Sequence, residues 1–208
     1  MIGKKRWLKR AVLTVGLFAV LAGSWAGYLR LSGNFHAVEE GVIYRSAQLS
    51  GDEFQSRIRA YSIRTIINLR GENSERQWYV NEMMAVASTG TRHIDFPISA
   101  NRDLTDVQLD QLTAILRDAQ QPVLVHCEGG ADRSGLASAI YEFAIAERSV
   151  SSAASQLSFR YGHFPWLGNT TAAMDRSFER VVARKVLSNT LEGAADGSEW
   201  KRSGDRRY

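Results

Sequence analysis

Residues 126–135 read HCEGGADRSG, a stretch that holds the only cysteine of the chain, Cys127, with Arg133 six positions beyond it. A thiolate is a strong nucleophile, and a guanidinium fork matches two oxygens of a phosphate. Gly129 and Gly130 between them let the backbone bend so that successive N–H groups converge into an anion-binding concavity. Cys127 and the group it would attack are therefore specified by one short loop. The chemistry this spacing suits is attack on a phosphorus atom held in a cradle formed by Glu128, Gly129, Gly130, Ala131, Asp132 and Arg133. A buried structural cysteine would need neither the two glycines nor an arginine at this distance.

The flanking elements place that loop. Pro122 to Val125 is an uninterrupted apolar run, as in a strand buried on both faces. Leu136, Ala137, Ile140, Tyr141 and Ala144 then follow helical spacing. A helix starting at the loop aims its unpaired first amides and the positive end of its dipole at the cradle. Such a field favours a thiolate over a thiol.

The chain has 208 residues and a net charge of +4. Six Lys/Arg and no acid lie in residues 1–30, and the remainder carries 20 basic against 22 acidic residues. Bulk charge therefore gives the globular part no nucleic-acid signal. Lys4, Lys5, Arg6, Lys9 and Arg10 form a basic segment, 1–10, ahead of 19 residues without a charge, Ala11 to Leu29. That length suits a transmembrane anchor over 11–30, with Trp7, Trp25 and Tyr28 near its ends. The positive cluster would stay cytoplasmic and send the rest across the membrane, into the periplasm of a Gram-negative cell. Ser24-Trp25-Ala26 also fits a signal-peptide cleavage rule, with secretion as the alternative. A lone cysteine is compatible with an oxidising compartment.

A globular domain is expected over 34–188. Val42 to Arg45 reads as an edge strand, 52–61 as a helix and Ile63 to Leu69 as a buried strand. The next helix shows Val80, Met83, Met84 and Ala87 on one face, the methionines as core filler. His93 to Ile98 reads as a strand, and Thr105-x-x-Gln108 as a capping box. It opens a helix with Leu109, Leu112, Ile115, Leu116 and Ala119 inward. Helices are expected over 150–161 and 171–187, with Met174, Phe178, Val181 and Val182 on one face of the second, and a disordered polar tail over 189–208. Alternating strands and helices argue an α/β fold, a mostly parallel central sheet flanked by helices, whose ligands bind beyond the strands' carboxyl ends.

HCEGGADRSG matches H-C-x5-R followed by Ser. It resembles the signature of the cysteine-dependent protein tyrosine and dual-specificity phosphatases. VIYRSAQLS, a helix, then IRTIINLRGE resembles the opening of the bacterial and fungal/plant-type atypical dual-specificity phosphatases, and the likeness runs from Phe35 to Tyr161. It implies a compact α/β phosphatase domain and a cysteinyl-phosphate intermediate on Cys127, bound by Arg133 and the loop amides. It also implies that Ser134 assists thiolate departure and that His126 orders the loop. No metal or cofactor is implied.

The leaving group needs a proton, and two aspartates compete. Asp103 follows a strand in PISANRDLT, where family members carry the acid on a movable loop, and it is preferred here. Asp132, inside the cradle, resembles the placement in the lipid-directed myotubularins and is the alternative. The cradle has no lysine, which argues against a heavily charged inositol substrate. A phosphorylated protein is the first expectation and a lipid phosphomonoester the second; a non-catalytic phospho-ligand module or a sulfurtransferase fits less well. Arg70, Arg102 and Arg160 could add a second anion site. FRYGHFPWL, from Phe159 to Leu167, could plug the core, wall the pocket or face a membrane.

Overall fold

The computed structural model describes residues 2–166 and 170–204. Five strands form one sheet in the order β1-β2-β5-β3-β4. They are β1 (His36–Glu39), β2 (Ile43–Ser46), β3 (Thr65–Asn68), β4 (Arg92–Asp95) and β5 (Val123–His126). β2, β5, β3 and β4 run parallel, and β1 pairs antiparallel to β2. The expected α/β fold with a mostly parallel sheet is the observed one. Two details differ. β2 is not an edge strand, because the unanticipated β1 covers its outer side. The strand after His93 ends at Asp95, before Pro97, which can donate no ladder hydrogen bond.

β5 is central, and its side chains alternate between two cores. Leu124 packs with Ile66, Phe54 and Ile58 on one face; Val123, Val125 and Cys127 join Leu109, Leu112 and Leu136 on the other. Leu124 and Ile66 are fully buried, each worth roughly 1.5–3 kcal/mol of transfer free energy. The same alternation sends His126 and Cys127 to opposite sides of the sheet. His126 therefore meets α2 (Gly51–Tyr61) and α3 (Gln77–Thr89), whereas Cys127 meets α5 (Asp132–Ile140).

α2 opens on a capping box at Ser50 and Glu53; α4 (Asp106–Asp118) opens on the expected one at Thr105 and Gln108. On α3 the buried residues are Tyr79, Glu82, Ala85 and Val86, while Met84 is 65% exposed. Of the expected Val80/Met83/Met84/Ala87 face only Met83 packs against the core. The inward face is rotated from the expected one and includes Glu82, a carboxylate that turns onto charged and polar partners. α5 ends at Ile140 and passes into a π-helical turn, Tyr141–Ile145. The helix expected over 150–161 is two pieces, α6 (Val150–Ala154) and a 3-10 turn at Phe159–Tyr161.

α1 (Ile2–Leu31) contains the apolar stretch Lys9–Leu31, long enough to cross a bilayer and exposed except near its end, where Leu29 is buried. α7 (Ala172–Gly204) carries Met174 and Phe178 into the core. It runs on to Gly204, where an unpatterned tail was expected. Residues 205–208 of that tail lie outside the described residues.

Candidate active site

The loop after β5 is shaped from outside by donors on its carbonyls. The Glu128 carbonyl accepts from the Gln48 N–H at 3.1 Å. That of Gly129 accepts from Asn34 Nδ2 at 2.9 Å, and those of Gly130 and Ala131 from Arg45 Nη2 at 2.8 and 2.9 Å. In a trans peptide the next N–H points opposite to the carbonyl. Four tethered carbonyls thus turn the amides of Gly129, Gly130, Ala131 and Asp132 to the inner side of the loop. There the first turn of α5 adds its own unpaired amides. Gly130 has φ +69°, and a Cβ on it would lie 2.5 Å from the Ala47 nitrogen. Only glycine lets the loop close this tightly on β2.

Arg45 was not singled out from the sequence. It is fully buried at the heart of β2. Its Nη1 donates to the carbonyl and side-chain oxygens of Gln156 at 2.7 and 2.9 Å, and its guanidinium lies 4.1 Å from the centre of the Tyr161 ring. Burial brings its pKa down to about 10, which leaves it a cation at neutral pH. The fork suits this position because Nη2 reaches two successive loop carbonyls while Nη1 reaches Gln156.

Cys127 is buried at the sheet's carboxyl end, its Sγ 3.2 Å from Ser134 Oγ. Arg133, in the first turn of α5, lays Nη1 against the carbonyls of Leu69 and Ile98 at 3.4 and 3.5 Å. Its Nε is buried without a partner among the described residues, a donor that a phosphate oxygen would satisfy. Glu128 is exposed and stands 3.8 Å from Arg133 Nη2, too loose and too wet a pair to compete strongly for it. Arg70 stacks 3.6 Å over the Trp78 ring and donates to Gln48, whose amide nitrogen donates to Glu82.

His126 points away from the thiol. Its Nε2 lies 2.9 Å from Glu82 Oε1, and His93 Nε2 lies 2.8 Å from the same oxygen. Burial alone would raise the Glu82 pKa. Hydrogen bonds from His126, His93 and Gln48 outweigh it and hold the carboxyl down at about 2. Glu82 was also missed from the sequence, because nothing marks a carboxylate as inward on a helix except the side chains it meets.

The two candidate acids lie in different surroundings. Asp103 is clasped by Arg176 of α7, with contacts of 3.1, 3.1 and 2.6 Å, and Arg180 stands 3.9 Å away. The Arg176 hydrogen bonds keep its carboxyl ionised to lower pH than usual, the wrong direction for a proton donor. Asp132 opens α5, and its Oδ1 lies 2.7 Å from Nδ1 of His163; Nε2 of His163 lies 2.9 Å from Asp175 on α7. Burial favours a neutral His163, but the carboxylates on both sides outweigh it and raise its pKa above the ordinary value. Arg160, expected as a possible anion ligand, is exposed and 5.5 Å from the Tyr161 ring centre; Arg102 lies beside Asp103 on the outer loop. Among the described residues no three His, Cys, Asp or Glu side chains converge as metal ligands.

A family model described as "Tyrosine phosphatase family" matches residues 25–146, more than half of the chain. The chain belongs to the tyrosine phosphatase family. It is a cysteine-dependent phosphatase, and the match ends before His163 and α7. Solved structures agree in fold. A Cys-to-Ser variant of TpbA of P. aeruginosa, in complex with pTyr, is 21% identical over 63% of this chain and 76% of its own, with a TM-score of 0.52. The core catalytic domain of the PP-IP phosphatase SIW14 of S. cerevisiae, in complex with citrate, is 20% identical over 73% of this chain and 92% of that domain, with a TM-score of 0.55. PTPMT1 in complex with PI(5)P is 14% identical over 73% and 98%, with a TM-score of 0.54.

Proposed function

We propose that the phosphatase hydrolyses phosphomonoesters by in-line attack of the Cys127 thiolate on phosphorus. The thiolate displaces the alcohol and leaves a cysteinyl phosphate that water then hydrolyses. The observation that carries this reading is the set of outward-tethered carbonyls, Glu128 to Ala131, which aims four amides at the position beside Cys127. Those amides and Arg133 would stabilise the charge on the transferring group. Ser134 can donate to the departing thiolate sulfur across 3.2 Å. His126, tied to Glu82, orients the end of β5 rather than exchanging protons with substrate.

For the leaving-group proton the geometry favours Asp132 over Asp103. Asp132 stands in the cradle next to Arg133 with the exchangeable proton of His163 2.7 Å away, while Asp103 is held outward on Arg176 and Arg180, whose guanidinium groups release no proton. D132N should remove the dependence on protonation for poor leaving groups and D103N should leave it intact; the opposite result would restore Asp103.

The substrate proposed first is a phosphotyrosine-type phosphoprotein. A lipid phosphomonoester is the second reading. It is favoured by the direct hydrogen bond from Asn34, three residues past the end of α1, to the cradle carbonyl of Gly129. In this proposal α1 crosses the bilayer, residues 1–10 stay cytoplasmic and residues 34–188 act as the catalytic domain on the other side. Phosphate release from a phosphotyrosine peptide and from a phospholipid monoester in vesicles, each against C127S, tests both substrates. No Cys127-dependent release from either would sink the reading.

A further inference from the structure

Five aromatic rings continue from the end of α1 onto the surface of the globular domain. Trp25 lies six residues before Leu31, about 9 Å along the helix axis, which is roughly the thickness of a headgroup zone. Its ring stacks on Tyr28 at 5.6 Å and on Phe159 at 6.3 Å, and its Nε1 donates to the Phe159 carbonyl at 3.3 Å. Phe159 meets Phe164 edge-on at 4.7 Å, and Phe164 meets Trp166 at 5.7 Å. These side chains do not plug the core. Tyr28 is 55% exposed, Phe159 and Phe164 43% each, and Trp166 62%. Arg160, the residue after Phe159, and Arg30, two residues after Tyr28, are both exposed and add cations at this end of the helix. Leu167, the last residue of the aromatic stretch, lies outside the described residues.

A contiguous surface of this kind marks an interaction site rather than scattered exposure. Amphipathic rings flanked by arginines match the region where hydrocarbon meets lipid phosphates. The surface is continuous with the apolar span Lys9–Leu31, whose side chains are exposed from Val12 to Ser24. We propose that Trp25, Tyr28, Phe159, Phe164 and Trp166 form a collar that seats the catalytic domain on the bilayer interface. This rests on the reading of α1 as a span, and labels placed separately on α1 and on the collar distinguish the two.

The collar is coupled to the cradle without a flexible linker. Asn34 Nδ2 donates both to the Gly129 carbonyl of the cradle and to the Tyr161 carbonyl of the aromatic turn, each at 2.9 Å. A Cβ on Gly162 would lie 3.2 Å from Leu29 of α1 and 3.8 Å from Ala131 of the cradle. Seating the collar therefore holds the cradle at a set height above the membrane surface.

The test uses the full chain with C127S, reconstituted in vesicles of phosphatidylcholine and phosphatidylglycerol. A nitroxide is placed in turn at F18C, W166C and V107C, the last on the exposed surface of α4. Molecular oxygen should relax the labels at F18C and W166C more than an aqueous nickel chelate does, with the reverse at V107C. Aqueous behaviour at W166C would overturn the collar, whatever F18C shows. Aqueous behaviour together with spin–spin broadening at W166C would overturn it in favour of a second copy of the chain. An aqueous F18C with a lipid-exposed W166C would retire the span and keep the collar.

Discussion

Glu82→Gln removes one charge from beneath the cradle and leaves the shape of the side chain almost unchanged. In the folded protein the Glu82 carboxyl titrates at about 2 against 4.5 for the free group. That difference corresponds to about 3 kcal/mol of folding stability at neutral pH. A glutamine oxygen still accepts part of the hydrogen bonding from His126 and His93, and neutral bonds are about half as strong as charged ones. E82Q is therefore expected to lose about 2–3 kcal/mol. The sign follows from the lowered folded pKa. The contribution is present above pH 4.5 and disappears as pH falls through about 2, so the gap between wild type and E82Q should close across that window. Denaturant unfolding of the detergent-solubilised protein at a series of pH values measures it. A gap under about 1 kcal/mol at neutral pH, or one that stays constant down to about pH 3, would refute the assignment of Glu82 as the carboxylate organising His126.

His163 works in the opposite sense, because its folded pKa is raised. Its stabilisation is complete below about 6.5 and is lost as pH climbs through the folded value, so H163N should cost more stability at about pH 6 than at about pH 9. An equal cost at both would mean that Asp132 and Asp175 do not hold an imidazolium. R45M leaves the Gly130 and Gln156 carbonyls without the Arg45 donor and the Ala131 carbonyl with only the Gly135 N–H. It should cost about 3–5 kcal/mol in unfolding experiments. G130A forces a Cβ to within 2.5 Å of the Ala47 nitrogen. It should lower kcat/KM by about 10²-fold or more through misplacement of the loop amides.

Much of the architecture could be read from residue types, because periodicity reports which face of a strand or helix is apolar. The run Val123 to Val125 marked the central strand, and Thr105 with Gln108 marked the start of α4, since both depend on local chemistry. What escaped depends on distant partners. Glu82 is inward only because β5 and β4 bring His126 and His93 to one oxygen. Arg45 reads as a surface residue until the loop 85 residues later folds over it. The opening YRSAQ is tied to the signature loop physically, because the Arg45 side chain and the Gln48 backbone N–H hold three of the four tethered carbonyls. Asp103 follows a family pattern, yet Arg176 lies 73 residues away on a helix whose facing surface nothing near Asp103 specifies.

The covalent intermediate is the most direct test of the account. Wild-type protein turning over an aryl phosphate would be quenched in acid, digested and weighed by mass spectrometry. The peptide holding Cys127 should carry one phosphate, and carry more of it in S134A, where the thiolate leaves more slowly. Turnover should be lost in C127S. Undiminished turnover by C127S, or phosphate found on a residue other than Cys127, would contradict the account.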